Sequence, residues 1–181
     1  MCGILCSHHR DPAAAGTPAF RAGELAPLLA TMRHRGPDSS ASLAHGGAWL
    51  GHTRLAIIDL VNGDQPILNE DGTVAAILNG EIYNHRELRD DLRARGHVFR
   101  TTSDTEVLVH LYEEYGEDMF RHLLGMFAAT VHDERTGTLL VARDRLGQKP
   151  VLYHTAGEAL YVASELKALA PLLGPDRRPD P

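Results

Sequence analysis

Thr73-Val74-Ala75-Ala76-Ile77-Leu78-Asn79-Gly80-Glu81-Ile82-Tyr83-Asn84-His85 is the stretch on which the fold turns. Its first half is an unbroken apolar run, and Thr73 to Leu78 reads as a buried strand. Asn79-Gly80 reads as the turn that ends it, because that pair accepts positive φ. Helical signals follow at once. Asn84 and Glu87 have the spacing of a capping box, Leu88 and Leu92 share a face, and Gly96 is a stop.

Upstream, Ile4 to His8 reads as a strand, and Asp11 to Gly23 is a loop rich in Ala, Gly and Pro. Leu25, Leu28, Leu29 and Met32 then repeat at helical spacing and predict a helix over Glu24 to Arg33. After a loop at Gly36-Pro37-Asp38, the apolar runs Ala48 to Leu50 and Leu55 to Ile58 read as strands that end at the turn Asn62-Gly63-Asp64.

Downstream, Ser103 and Glu106 form a second capping box. It opens a helix through Val107, Leu108, Leu111 and Tyr112 to a stop at Gly116, and Asp118 to Leu124 is a further short helix. The period then changes to two. Met126 to His132, Thr138 to Ala142, Val151 to Tyr153 and Leu160 to Ala163 are predicted strands. Many strands with a few grouped helices predict a layered α+β domain, its sheets packed face to face and its helices outside.

At 181 residues the chain is long enough for one domain with a substantial core. A formal charge of −6 without a basic stripe argues against a nucleic-acid partner. No apolar stretch is long enough to span a bilayer and no secretory leader opens the chain, so the expectation is a cytoplasmic protein with no membrane partner. Cys2 and Cys6 are too few and too close to staple a fold, which fits a reducing compartment. The 11 histidines are scattered and none forms a His-Glu-x-x-His or Cys-x-x-Cys word, so no metal site is expected. Neither glycine-rich phosphate motif occurs, so no nucleotide cofactor is expected either.

Chemistry begins at Cys2. Once Met1 is removed, that residue carries a thiol and a free α-amine, a nucleophile and a general base in one building block. In simple compounds both groups titrate close enough to neutrality that little tuning is needed. A cysteine acting on an amide needs donors for the oxyanion, a cation for a substrate carboxylate and acids for a substrate ammonium. The Asn79 side chain and the Gly80 N–H are candidate oxyanion donors, with the Glu81 carboxylate beside them. Arg54, at the start of Leu55-Ala56-Ile57-Ile58, is the candidate carboxylate clamp from a rigid strand, and Asp104 is a second acid. Each has an ordinary alternative: an Asn-Gly turn, a structural salt bridge, a carboxylate serving a helix dipole. The polar runs Arg33 to Asp38 and Arg143 to Gly147 carry no chemistry that residue type alone assigns.

Together these segments resemble the class II glutamine amidotransferase domain, in the version found at the amino end of asparagine synthetases. The resemblance rests on Cys2-Gly3-Ile4, Arg33 to Asp38, Arg54-Leu55-Ala56-Ile57, Asn79 to His85, Ser103-Asp104-Thr105-Glu106, Gly125-Met126-Phe127-Ala128, Ala142 to Gly147 and Ala163 to Lys167. It implies an N-terminal-nucleophile hydrolase fold, a four-layer sandwich of two antiparallel sheets between helical layers. It also implies that Cys2 attacks the side-chain amide of L-glutamine, that Asn79 and Gly80 form the oxyanion hole, that Arg54 binds the α-carboxylate and that Glu81 and Asp104 hold the α-ammonium. The backbone around Ile57 and Ile58 would line the pocket. The implied product is ammonia for an ATP-dependent synthetase domain or subunit, on which ATP and Mg are expected. A homodimer and the final ammonia acceptor stay open. The alternative class is a weakly active, glutaminase-like binding or regulatory subunit.

The chain departs from the family's pattern at Leu5-Cys6-Ser7-His8-His9, beneath the nucleophile, and at Val151, inside Gln148 to Tyr153. The expected division is residues 1–170 for the amidotransferase domain and 171–181 for a truncated linker toward a synthetase domain. Asp180-Pro181 has the chemistry of a helix start.

Overall fold

A computed structural model of the chain describes residues 1–9 and 22–173. The strands are β1 Gly3–His9, β2 Ser39–His45, β3 Ala48–Arg54, β4 Ile67–Leu68, β5 Val74–Ile82, β6 Gly125–Asp133, β7 Thr138–Arg143, β8 Leu152–Ala156 and β9 Ala159–Ala163. The α-helices are α1 Ala22–Ala30, α2 His85–Ala94, α3 Val107–Tyr115 and α4 Leu166–Leu169, with 3-10 turns at Asp104–Glu106, Gly116–His122 and Ala170–Leu172. One sheet has the order β2-β3-β1-β9-β8 and the other β4-β5-β6-β7, and every pairing is antiparallel.

Strand periodicity sorts the side chains into three apolar layers. On β1, Leu5 faces outward with Leu25, Leu29 and Met32 of the α1 segment, while Ile4 and Cys6 face the other sheet. On β5, Val74, Ala76 and Leu78 pack with Leu108 and Leu111 of α3, while Ala75 and Ile77 face β1 and β3. Three cores separate four layers: helices, sheet, sheet, helices. This is the sandwich expected above. The unusual Leu5-Cys6 pair packs normally, because each side chain is fully buried in its own core. Burial pushes the Cys6 thiol up, which makes it a small core hydrophobe rather than a second nucleophile.

Several boundaries differ from expectation for identifiable reasons. Residues 55–58 are not a strand: they pair with no strand, and the N–H groups of Leu55 and Ala56 go to Cys2 Sγ and to Asp38 Oδ2. Asn79-Gly80 is not a turn. Strand β5 continues through it to Ile82 in register with β6, Gly80 opposite Phe127. A Cβ at Gly80 would lie 2.1 Å from the Met126 carbonyl oxygen, so glycine is required there by close approach.

The Asn84 capping box does not form. Asn84 instead bridges to the next segment, its Nδ2 donating to the His122 carbonyl (2.9 Å) and its Oδ1 accepting from Leu124 N–H (2.9 Å). The second box is half made: Ser103 Oγ accepts from Thr105 N–H (3.2 Å), but Glu106 turns back to the N–H groups of Arg100 and Thr101. The helix expected over Asp118 to Leu124 is the 3-10 turn Gly116–His122. Strands β2 and β4 lack a strong apolar alternation and are not legible in the sequence. Of the expected Asp11 to Gly23 loop, the part up to residue 21 lies outside the described residues, as does Asp180-Pro181; Gly23 falls in α1. No described helix is long and apolar enough to cross a membrane.

Two histidines sit between the sheets without charge. Burial lowers His52 to about 4, and its Nε2–H donates to the Leu78 carbonyl (3.1 Å). Burial, with His45 and His8 nearby, lowers His132 to about 4 as well. An unfolded histidine takes up its proton near 6.5, so the folded state's advantage is complete above that value and is lost as pH falls toward 4. We expect His52 alone to cost roughly 3 kcal/mol of stability across this window, with His132 acting in the same direction. Urea unfolding at pH 7 and pH 4.5 measures it, and a neutral His52→Gln chain should show a shallower pH slope.

Candidate active site

The period that builds the central core also builds the site. Cys2 has the parity of Ile4 and Cys6, Arg54 that of Leu50, and Asn79 and Glu81 that of Ala75 and Ile77, so all of these point into the gap between the sheets. At one end that gap opens into a cavity of about 220 Å³. Cys2, Arg54, Ile57, Ile58, Asn79, Gly80, Glu81 and Asp104 all line it. Every residue expected from the sequence is therefore brought to one place. Lining residues to which sequence reasoning gave no site role include Gln65, Ser103, Met126 and Lys149; Ser103 and Met126 stand in the family words, whereas Gln65 carries no local signal of its own.

Cys2 is held by its backbone and its sulfur. Arg35 Nε donates to the Cys2 carbonyl (2.8 Å), and Leu55 N–H donates to Sγ (3.4 Å). Arg35 is anchored in turn by Glu165 (2.9 Å). Burial pushes the Glu165 carboxyl up, but Arg35, Lys167 and His34 outweigh it and bring it down to about 2. Gly36 lies against the backbone of Thr53, where a Cβ would come within 2.2 Å of its carbonyl carbon. The polar run Arg33 to Asp38 is thus a clamp: Arg35 fixes the Cys2 backbone, and Asp38 fixes the start of the 55–63 loop through Ala56 N–H (2.8 Å).

Asn79 is 1% exposed, and neither its Nδ2 nor its Oδ1 has a partner in the protein. A buried carboxamide with both ends unmatched costs stability, and such a group at a cavity wall is set for a ligand. Gly80 lines the same cavity. Along the edge of β5 facing away from β6, Leu78 N–H donates to Gln65 Oε1 (2.6 Å) and Ile82 N–H donates to Asp104 Oδ2 (2.9 Å). By strand alternation the Gly80 N–H lies between them on that same edge, beside the cavity.

Arg54 ends β3 rather than starting a strand, and it is buried. Its Nη1 donates to Asp64 Oδ1 (3.0 Å), and its Nη2 donates to the carbonyls of Ile58 (3.3 Å) and Asp59. The structural ion pair and the clamp are therefore compatible: the contacts aim the guanidinium, and Nε–H with one Nη1–H remains for a ligand. Asp104 is also buried, and burial pushes its carboxyl up, opposed by the Ile82 N–H and reinforced by nearby Glu81. A cation entering between these two acids would relieve that strain.

Of the run Arg143 to Gly147, residues 143–146 line a separate cleft, and the run reaches the Cys2 cavity only through Lys149, which follows it. Asp144 accepts from the N–H groups of Phe127, Leu146, Gln148 and Lys149, and against the effect of burial these hold its carboxyl below the usual range. Arg143 Nε donates to the Lys149 carbonyl (2.6 Å). The loop is tied into a fixed shape that presents Lys149 to the cavity.

Among known proteins, residues 1–181 match the sequence profile of the family described as "Glutamine amidotransferase domain". The chain is 45% identical over 175 residues to "Asparagine synthetase [glutamine-hydrolyzing]" of Sandersonia aurantiaca, covering 93% of this chain and 31% of that protein. It is 50% identical over 145 residues to "Asparagine synthetase [glutamine-hydrolyzing] 2" of Arabidopsis thaliana, covering 79% of this chain and 25% of that protein. The chain thus spans less than a third of these relatives. In three dimensions it matches glutamine phosphoribosylpyrophosphate amidotransferase from B. subtilis with a TM-score of 0.72 at 24% identity, over 93% of this chain and 43% of that one. That likeness is one of fold, and it agrees with the four-layer arrangement.

Proposed function

The chain belongs to the glutamine amidotransferase domain family, and from that premise we propose that it hydrolyses L-glutamine to glutamate and ammonia through a thioester at Cys2. The observation that carries this reading is the Asn79 carboxamide, buried without a partner on the wall of the cavity that Cys2 lines. The thiol proton passes to the free α-amine of Cys2, and the sulfur adds to the side-chain amide carbon of glutamine. Asn79 Nδ2 and Gly80 N–H receive the oxyanion. The amine then gives its proton to the departing ammonia, and water enters through a second oxyanion to release glutamate. Arg54 holds the α-carboxylate, Glu81 and Asp104 the α-ammonium, and the backbone at Ile57 and Ile58 closes one side.

Ammonia passes, in this reading, to an ATP-dependent synthetase domain or subunit of the asparagine-forming kind. ATP and Mg serve that partner, and this half needs no cofactor. A cytoplasmic setting fits free thiols at Cys2 and Cys6.

Processing is the test. While Met1 is attached, the Cys2 nitrogen is an amide and cannot act as a base. We expect protein whose mass shows a free Cys2 amino terminus to release glutamate from glutamine, and protein that retains Met1 to be inactive. Equal turnover by the two forms would overturn the assignment of the base.

A further inference from the structure

A second constellation lies outside the cavity, on the far side of β5. Glu70, in the β4–β5 turn, His97, between α2 and the Asp104 turn, and His110 and Glu113 of α3 bring one ligand atom each to within 4.8 Å of one another. In sequence they form no ligand word, which is why none was expected. Only the packing of α3 against the turn and the connecting segment assembles them.

Several of the spacings approach those of a coordination shell. A zinc ion with bonds of about 2.0–2.1 Å sets tetrahedral neighbours about 3.3–3.4 Å apart. Here His110 Nδ1 lies 3.1 Å from Glu113 Oε2 and 3.4 Å from Glu70 Oε2. His97 Nδ1 lies 3.5 Å from Glu113 Oε2 and 3.9 Å from Glu70 Oε1. Most of these are long for charge-assisted hydrogen bonds, which run at about 2.7–2.9 Å.

The outer contacts point the same way. His97 Nε2 meets Glu114 Oε1 (3.0 Å), which orients the ring so that Nδ1 faces the two carboxylates. Glu113 Oε1 accepts from Asn69 Nδ2 (2.8 Å), and Glu70 Oε1 accepts from Val98 N–H (2.7 Å). His110 is buried and meets the cluster through Nδ1, 3.1 Å from Glu113 Oε2. Two carboxylates thus converge on two imidazole nitrogens, the donor set that a dication takes.

We propose that Glu70, His97, His110 and Glu113 form a structural site for a divalent transition metal, with zinc the best fit to a two-imidazole, two-carboxylate set. Four protein ligands leave no open position, so the ion does no chemistry. It ties the β4–β5 turn and the segment before Asp104 to α3. Through Thr102 N–H, which donates to Asp59 Oδ2 (2.7 Å), that segment also steadies the 55–63 loop over the cavity.

The test uses the whole chain carrying Cys2→Ser, so that the nucleophile is not a ligand. Equilibrium dialysis should retain about one zinc per chain, and added Co²⁺ should give visible bands of a tetrahedral nitrogen-oxygen site without a thiolate charge-transfer band. His97→Gln and Glu70→Gln, both at partly exposed positions, should each weaken zinc binding by about 100-fold. Zinc should raise the melting temperature of the parent and not of these variants. No retained zinc, a thiolate band, or undiminished binding by His97→Gln would overturn the proposal and leave the cluster as an ion-pair network. The parent's Co²⁺ spectrum decides even where a variant fails to fold, and none of these readouts depends on glutamine turnover.

Discussion

Cys2→Ala protein is expected to release no glutamate from glutamine above background, a fall on the order of 10⁴-fold or more. The reason is specific to a covalent route. Alanine keeps the free α-amine and leaves the cavity, Asn79, Arg54 and Asp104 untouched, so substrate still binds while the acyl carrier is gone. Rapid quenching followed by intact-mass measurement should show an acyl adduct on the parent and none on the variant. Binding of glutamine by calorimetry should survive the substitution within a few-fold. Turnover by Cys2→Ala equal to the parent's would rule out the thioester, and loss of both binding and folding would place Cys2 in the structure rather than the chemistry.

Asn79→Ala is expected to lower kcat by about 10²–10³ with little change in KM, because an oxyanion donor acts on charge that appears only in the transition state. A second readout separates this from a structural role. A buried group that holds up the fold loses partners when truncated, and stability falls by about 1–3 kcal/mol. Asn79 has no protein partner to lose, so its removal should leave the melting temperature unchanged or slightly higher while turnover collapses. Asn79→Asp, similar in shape but anionic, should be at least as damaging to kcat, since a carboxylate there repels the oxyanion. A rise in KM at unchanged kcat would instead place Asn79 on the ground-state substrate.

The strands and the site residues were legible to different degrees. Long periodic segments such as β6 and α3 announce themselves, because many side chains vote for one period. Residues 55–58 misled because a short apolar run is the same whether it forms a strand or lies over a pocket, and its hydrogen bonds go to Cys2 and Asp38. Asn79-Gly80 misled for a related reason. Glycine there answers a tight approach by the Met126 backbone, not a turn. Asn84 has the right spacing for a cap, yet two distant backbone groups at His122 and Leu124 outcompete the helix end for its side chain.

The site itself was named residue by residue through family resemblance, and the structure supplies its physical logic. Parity on β1, β3 and β5 sends Cys2, Arg54 and Asn79 into one gap, and parity is a property of the sequence once strand register is known. What chain order alone determined is the set of local periods and, through the family resemblance, the candidate site residues beginning with Cys2. What only the tertiary structure decided is which groups meet and which are left unmatched: the Asn79 carboxamide without a partner, the Gly80 N–H turned to the edge of β5 beside the cavity, and the imidazoles of His97 and His110 facing the carboxylates of Glu70 and Glu113. The physical reason is that an unmet hydrogen bond or an uncompensated charge is a relation between groups distant in the chain, and it exists only after packing has removed water and fixed every competing partner.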